Sequence, residues 1–209
     1  VVVDLEGFTA FCDQRETLVM VPAFLKEFIQ WLMDSIRKQM TEQEVPAGIA
    51  LWAHLPFFVK FMGDGLLVLW DAAAPGMDSV GRRNVIACVD EIRRAYTSEF
   101  LLNLSDEISF PPPRLRCGLS RGVVYSVGNG NDFVGPCINM AARLQKLPGT
   151  TFSFCTRGFA LTENGAARFF TKELICFDVP LRGFREREQV AILISEFNQL
   201  GESDIAFYR

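Results

Sequence analysis

Phe57-Phe58-Val59-Lys60-Phe61-Met62-Gly63-Asp64-Gly65-Leu66-Leu67-Val68-Leu69-Trp70 is the stretch on which the fold turns. Two apolar, β-prone runs flank Gly63-Asp64-Gly65, so the pattern predicts two strands joined by a tight, glycine-permitted turn with an acid at its tip. Upstream, Val1-Val2-Val3-Asp4-Leu5 is a β-branched run ending in Glu6-Gly7, which reads as a buried strand delivering another acid to a turn. Between the two acids, Phe24, Leu25, Phe28, Ile29, Leu32, Met33 and Ile36 recur at helical spacing and predict an amphipathic helix over 21–40. Downstream, a helix is expected over 80–102, followed by Pro111-Pro112-Pro113, which the chain must cross extended. Strands are expected over 115–119 and 123–127, around Ser120-Arg121-Gly122, and Gly128-Asn129-Gly130-Asn131 reads as a loop. A helix opens near Gly135-Pro136, and later strands are expected over 152–155, 174–181 and 189–194. This order predicts an α/β fold, an α+β sandwich with helices covering a mixed sheet, in a single domain spanning 1–209.

Bulk properties narrow the function. The 209 residues are 49% hydrophobic and 22% charged, enough to bury one substantial core. A net charge of -4 and a pI near 5.2 argue against a constitutive, sequence-independent nucleic-acid binder, which needs a basic surplus to displace counterions. Cys12, Cys88, Cys117, Cys137, Cys155 and Cys176 are dispersed without a CxxC pair, which predicts a reducing cytoplasmic setting. His54 is the only histidine and reads as a loop or core residue, so a histidine-built zinc site or a Ser-His-Asp triad lacks its parts. No apolar run reaches the length of a membrane span. A chain opening Val1-Val2-Val3 without Met is expected to lack its native start.

Asp4 and Asp64 each adjoin a strongly apolar strand, where a buried, unpartnered carboxylate is costly. Magnesium takes hard oxygen ligands and commonly combines one or two carboxylates with substrate phosphates, which suits two acids without histidine. Aspartate beside glycine equally suits turn capping, and for either acid alone that is the simpler reading. In Asn139-Met140-Ala141-Ala142-Arg143, an amide and a guanidinium four apart project from one helical face, a geometry suited to a sugar oxygen and an anion. An ordinary surface arginine is the alternative.

Taken in order, these segments resemble the class III nucleotide cyclases, the adenylate and guanylate cyclase family, over nearly the whole chain. Val3-Asp4-Leu5-Glu6-Gly7-Phe8-Thr9 resembles the first metal-binding segment, and Lys60-Phe61-Met62-Gly63-Asp64 the one carrying a base-contacting lysine and the second metal aspartate. Arg116-Cys117-Gly118-Leu119-Ser120-Arg121-Gly122 is similar to the following strand and glycine turn, with Ser120 where relatives often have histidine. The run from Asp132 to Arg143 is similar to the segment bearing a base-selecting residue and the transition-state Asn and Arg. The resemblance implies a ferredoxin-like βαββαβ core within a mixed, antiparallel-rich sheet, and metal-dependent conversion of a nucleoside triphosphate to a 3′,5′-cyclic nucleotide and pyrophosphate. It implies two divalent ions, Mg²⁺ or Mn²⁺, held by Asp4, the Leu5 backbone carbonyl and Asp64. Gly7, Phe8 and Thr9 would bind triphosphate, as would Arg182 or Arg185, although the familiar lysine pattern is absent there. Catalytic roles fall to Asn139 and Arg143, and base contacts to Lys60 and Asp132. The family works as a head-to-tail homodimer with active sites at the subunit interface, the two acids from one subunit and Asn139 and Arg143 from the other.

Lys60 and Asp132 stand at positions that read adenine in the family, which points to ATP. Other segments resemble the bacterial pyrimidine cyclases of the Pycsar antiphage systems: Gly128-Asn129-Gly130-Asn131-Asp132-Phe133, Leu144-Gln145-Lys146-Leu147 and the run from Phe152 to Phe159. Phe57, Phe58, Phe61, Met62 and Phe133 flank the expected base site and could leave room for one ring. That reading predicts UTP conversion to cUMP, with CTP next among pyrimidines, and a separate cyclic-nucleotide effector; ATP cyclisation and a catalytically inactive cyclase-homology nucleotide-binding or dimerisation module remain the alternatives.

Overall fold

The computed structural model describes residues 1–14, 17–40, 43–44, 50–51, 54–75, 77–159 and 174–209. Its elements begin with β1 (Val2–Glu6), α1 (Phe8–Cys12), α2 (Thr17–Met40), a short ladder of β2 (Gln43–Glu44) with β3 (Ala50–Leu51), then β4 (Phe58–Phe61) and β5 (Gly65–Leu69). They continue with α3 (Ser79–Ala95), β6 (Arg114–Leu119), β7 (Tyr125–Val127), β8 (Asp132–Val134), α4 (Pro136–Leu144) and β9 (Phe152–Cys155). The chain closes with β10 (Leu174–Pro180), β11 (Arg187–Leu193) and two short helices, α5 (Ile194–Phe197) and α6 (Glu202–Tyr208).

Seven strands form one sheet in the order β10-β11-β9-β6-β1-β5-β4. Within it, β1, α2, β4, β5, α3 and β6 follow one another as βαββαβ, and their strands lie in the ferredoxin-like order β6-β1-β5-β4. The sheet is mixed: β6 pairs parallel with β9, whereas β4–β5, β11–β9 and β10–β11 are antiparallel. The expected α/β architecture, helices on a mixed sheet, is therefore the one observed.

The chain divides into two compact units, one of Val1–Val3 with Arg116–Arg209 and one of Asp4–Leu115. In the latter, every residue of β5 is buried, as its unbroken Gly65-Leu66-Leu67-Val68-Leu69 run requires of a strand covered on both faces. α2 buries Met20, Phe24, Phe28, Leu32, Ile36 and Met40 on one stripe. It starts at Thr17, earlier than the apolar stripe predicts, and carries Pro22 within its first turns, where a proline forfeits only one intrahelical bond. The helix expected over 80–102 ends differently: α3 passes into a π-helical turn over Tyr96–Phe100 and a 3₁₀ turn over Leu101–Asn103. The π turn is followed inward by aromatic packing. Tyr96 stands edge-on to Phe28 at 6.0 Å, Phe100 packs on Phe24 at 5.8 Å, and the buried Tyr96 hydroxyl donates to the Pro112 carbonyl at 2.6 Å.

In the other unit, α4 buries Met140, Ala141 and Leu144. A Cβ on Gly118 of β6 would stand 2.2 Å from the Ala141 carbonyl oxygen and 2.5 Å from the Gln145 nitrogen, so only glycine allows this contact. The same unit holds a second apolar cluster, in which Leu147, Val179, Val190, Ile192 and Tyr208 pack beneath Phe177 and Phe197. The strand expected over 123–127 is shorter, Tyr125–Val127, and pairs only with β8, an element the loop reading of 128–131 passes over.

Candidate active site

β1 ends where Gly7 adopts φ +80, a left-handed turn that glycine enters without steric cost. The chain there reverses into α1, whose Phe11 is buried and packs on Phe24 at 5.0 Å. This leaves Asp4 half-buried, Phe8 half-buried and Thr9 exposed around the reversal. Glu6 ties the turn to the start of β6 by accepting from Arg114 at 2.8 Å.

β4 and β5 pair in register from Phe58↔Leu69 to Phe61↔Leu66, and the Met62 N–H closes the ladder by donating to the Gly65 carbonyl at 2.7 Å. Gly63, at φ +89, supplies the left-handed residue of the loop. Asp64 is consequently presented in solvent at the hairpin tip, and Lys60 is exposed on β4 opposite Leu67. The Leu5 N–H donates to the Asp64 carbonyl at 2.8 Å, so one main-chain bond holds the segments of the two acids side by side. The available donors, two carboxylates and main-chain carbonyls, are all hard oxygens and fit a Mg²⁺-like or Mn²⁺-like ion. Among the described residues no cluster of three or more His, Cys, Asp or Glu side chains is formed, so such an ion would complete its shell with main-chain, water or phosphate oxygens.

In the other unit, β7 and β8 pair from Tyr125↔Val134 to Val127↔Asp132. This sets Asp132, half-buried, at the start of β8, its carboxylate accepting from the Phe133 N–H at 2.8 Å. α4 then begins with Pro136 in its first turn, where the missing donor costs nothing. Asn139 and Arg143 share its exposed face while Met140, Ala141 and Leu144 lie underneath, as the four-residue spacing predicts. Arg182 and Arg185 are both exposed in the loop between β10 and β11, anchored by buried Leu181.

The structure thus brings Asp4, Leu5 and Asp64 together, and places Lys60 on the same hairpin as Asp64. Asp132, Asn139 and Arg143 follow one another along the β8–α4 segment. His54 is exposed, its ring against the Pro75 carbonyl. All six cysteines are free, and burial pushes the Cys88 thiol up to about 12. The sequence reading missed β8, which carries Asp132; the signal lay in Gly128-Asn129-Gly130-Asn131, a hairpin-turn composition between two β-prone runs.

No helix of the described residues is long and apolar enough to cross a membrane. No protein-family model matches the sequence. No curated protein matches it either. Solved structures do. The adenylyl cyclase CyaB from P. aeruginosa superimposes with a TM-score of 0.63 at 15% identity, covering 96% of this chain and 94% of that one. The guanylyl cyclase Cya2 gives 0.57 at 18% identity, over 92% and 88%. The guanylate cyclase domain of RhGC from Catenaria anguillulae, solved with GTP, gives 0.54 at 14% identity, over 92% of each chain. With the βαββαβ core and its sheet order, these similarities show that the chain has the fold of the class III adenylyl and guanylyl cyclase catalytic domains.

Proposed function

We propose that the chain acts as one catalytic domain, a metal-dependent nucleotidyl cyclase that converts a nucleoside triphosphate to a 3′,5′-cyclic nucleotide and pyrophosphate. The observation that carries the reading is the Leu5–Asp64 main-chain bond, which sets two acid-bearing segments together in a fold shared with cyclases. Asp4, the Leu5 carbonyl and Asp64 would hold two divalent ions, and Gly7, Phe8 and Thr9 would receive phosphate oxygens at the chain reversal. When bound, the metal pair lowers the pKa of the ribose 3′-hydroxyl and neutralises the triphosphate. The 3′-oxygen attacks the α-phosphorus in line, the bond to the bridging oxygen breaks, pyrophosphate leaves, and the hydroxyl proton passes to solvent.

Asn139 would orient the ribose, and Arg143 would stabilise charge growing on the five-coordinate phosphorus through fixed donors. Arg182 or Arg185 would grip the triphosphate. Because positioning and charge stabilisation carry this chemistry, no nucleophilic side chain or histidine is required. The active form is a head-to-tail homodimer, in which the acids of one chain meet Asn139 and Arg143 of a second, in a reducing cytoplasm.

For the base, we favour UTP and a cUMP product used in bacterial antiphage defence through a separate effector, on the resemblance of the 128–133 loop and its neighbours to pyrimidine cyclases. Lys60 and Asp132 favour ATP instead. A rhodopsin-guanylyl cyclase core with converted specificity, solved with ATPαS and similar to this chain at a TM-score of 0.57, has a fold that accommodates an adenine nucleotide. Incubation with each of the four nucleoside triphosphates and Mn²⁺ or Mg²⁺, followed by product chromatography, tests both. UTP consumption with cUMP formation is expected; conversion of ATP alone overturns the pyrimidine assignment. No conversion of any triphosphate, with an Asp64→Ala variant indistinguishable from wild type, overturns the cyclase reading in favour of an inactive module.

A further inference from the structure

The segment leaving α4, Gln145-Lys146-Leu147-Pro148-Gly149-Thr150-Thr151, is gripped by side chains from three other elements of its unit. Arg116 of β6 donates to the Leu147 carbonyl at 3.2 Å. Tyr208, near the end of α6, donates its hydroxyl to the Pro148 carbonyl at 2.8 Å. The Glu196 carboxylate of α5 accepts from the Thr151 N–H at 3.2 Å, from the Thr151 hydroxyl and from the Phe152 N–H at 3.4 Å. Gly149, at φ +65, lets the chain pass close to the C-terminal helices: a Cβ there would meet the side chain of Leu200, between α5 and α6, at 2.2 Å and the Asp204 carboxylate of α6 at 3.1 Å. Ser153 closes the return by donating to the Leu144 carbonyl at 2.9 Å.

None of this is needed merely to cover apolar surface. The Tyr208 ring already packs on Phe177 at 5.4 Å, on Phe197 at 6.1 Å and on Phe207 at 5.2 Å. Its hydroxyl is spent instead on the Pro148 carbonyl, and the Glu196 carboxylate on Thr151 and the Phe152 N–H, in the segment that follows α4. Burial pushes the Tyr208 phenol up to about 12, so the hydroxyl remains a donor at any working pH. A nine-residue helix is too short to be stable by its own bonds and depends on tertiary contacts, and α4 presents Asn139 and Arg143 from its exposed face. Besides the packing of Met140, Ala141 and Leu144, the bonds to its exit loop bear on that presentation.

We infer that Glu196 and Tyr208 are positioning residues: through the α4–β9 loop, the C-terminal helices set the pose of α4 and hence of Asn139 and Arg143. The inference rests on the cyclase reading for its kinetic consequence, but not for its structural one.

The test uses Tyr208→Phe, which keeps the ring packing and removes one hydrogen bond, and Glu196→Gln, which keeps size and loses charge. Hydrogen exchange over 139–147 should accelerate in both variants while the β11 amides and those of β9 beyond Phe152 stay protected, with no substrate present. Where turnover is measurable, kcat should fall about 10-fold with KM for the triphosphate within about 2-fold, the pattern of a misplaced transition-state group. Combined with Arg143→Ala, Tyr208→Phe should cost less than it does alone, because one of the two groups it aims is gone. Unchanged exchange over 139–147, or losses additive with Arg143→Ala, overturns the inference. Accelerated exchange in a chain that cyclises no triphosphate sustains the brace and discards only its catalytic purpose.

Discussion

At the scale of single residues, Arg143 and Asp78 illustrate two uses of charge. Arg143 sits in solvent on α4, where removal leaves the packed face of Met140, Ala141 and Leu144 untouched. Under the proposed mechanism, Arg143→Ala should lower kcat by about 10²–10³ with an unchanged melting temperature, the scale of losing one preorganised transition-state donor. Steady-state kinetics beside a thermal melt checks it. Asp78 caps α3, its carboxylate accepting from the Val80 N–H at 2.8 Å and the Gly81 N–H at 3.0 Å. Those backbone donors, Gly81 foremost, hold its carboxyl below the ordinary aspartate value. The folded pKa is thus depressed, and the stability it contributes is complete above the unfolded value of about 3.9 and lost as pH falls through the lower folded value. Asp78→Ala should therefore melt earlier than wild type at pH 7, the gap closing in strong acid, as paired melts across pH would reveal. The residues around α4 differ in how legible they are. Asn139 and Arg143 were readable because helical spacing alone puts them on one face. Glu196 and Tyr208 were not, since their partners lie 45 and 60 residues away and no local pattern links them.

At the scale of elements, the site depends on where glycine allows backbones to meet. A Cβ at Gly118 would drive into the Ala141 carbonyl and the Gln145 amide, so α4 must lift off β6 or β6 must bend. Gly118→Ala is expected to cost about 1–3 kcal/mol, as overpacking does, measured by denaturant unfolding. Element identity was largely written in hydrophobic period: the buried run of β5 and the single stripe of α2 announced themselves. Boundaries were not. Pro22 sits inside α2 although proline more often marks a helix start, and the π turn over Tyr96–Phe100 arises from packing against Phe24 and Phe28, contacts more than 60 residues distant in sequence. The short strand β8 went unread because Asp132-Phe133-Val134 is too brief for a period to show. The helices α5 and α6 were missed for the same reason: each is held by the aromatic contacts of Phe197 and Tyr208 rather than by its own length.

For the molecule as a whole, the division of residues between units makes a quantitative prediction. Asp4, Lys60 and Asp64 belong to one compact unit, and Asp132, Asn139, Arg143, Arg182 and Arg185 to the other. If two chains assemble head to tail, Asp64→Ala and Arg143→Ala damage different contributions to each site. Mixing the two inactive variants should restore roughly a quarter of wild-type activity, because half of the dimers are mixed and each mixed dimer keeps one intact site. An assay of the equimolar mixture after subunit exchange checks this, and no recovery would count against interchain sites. The sheet order and the βαββαβ core were legible as a family resemblance rather than from periodicity, since strand order is set by which edges meet and not by any one segment. The Leu5–Asp64 bond has a wider implication. Being made by main-chain atoms alone, it is indifferent to what side chain stands at position 64. Descendants of this sequence could therefore exchange that acid for another ligand, and so retune which ion is preferred or abandon ions altogether, without first having to reinvent the hairpin that presents it.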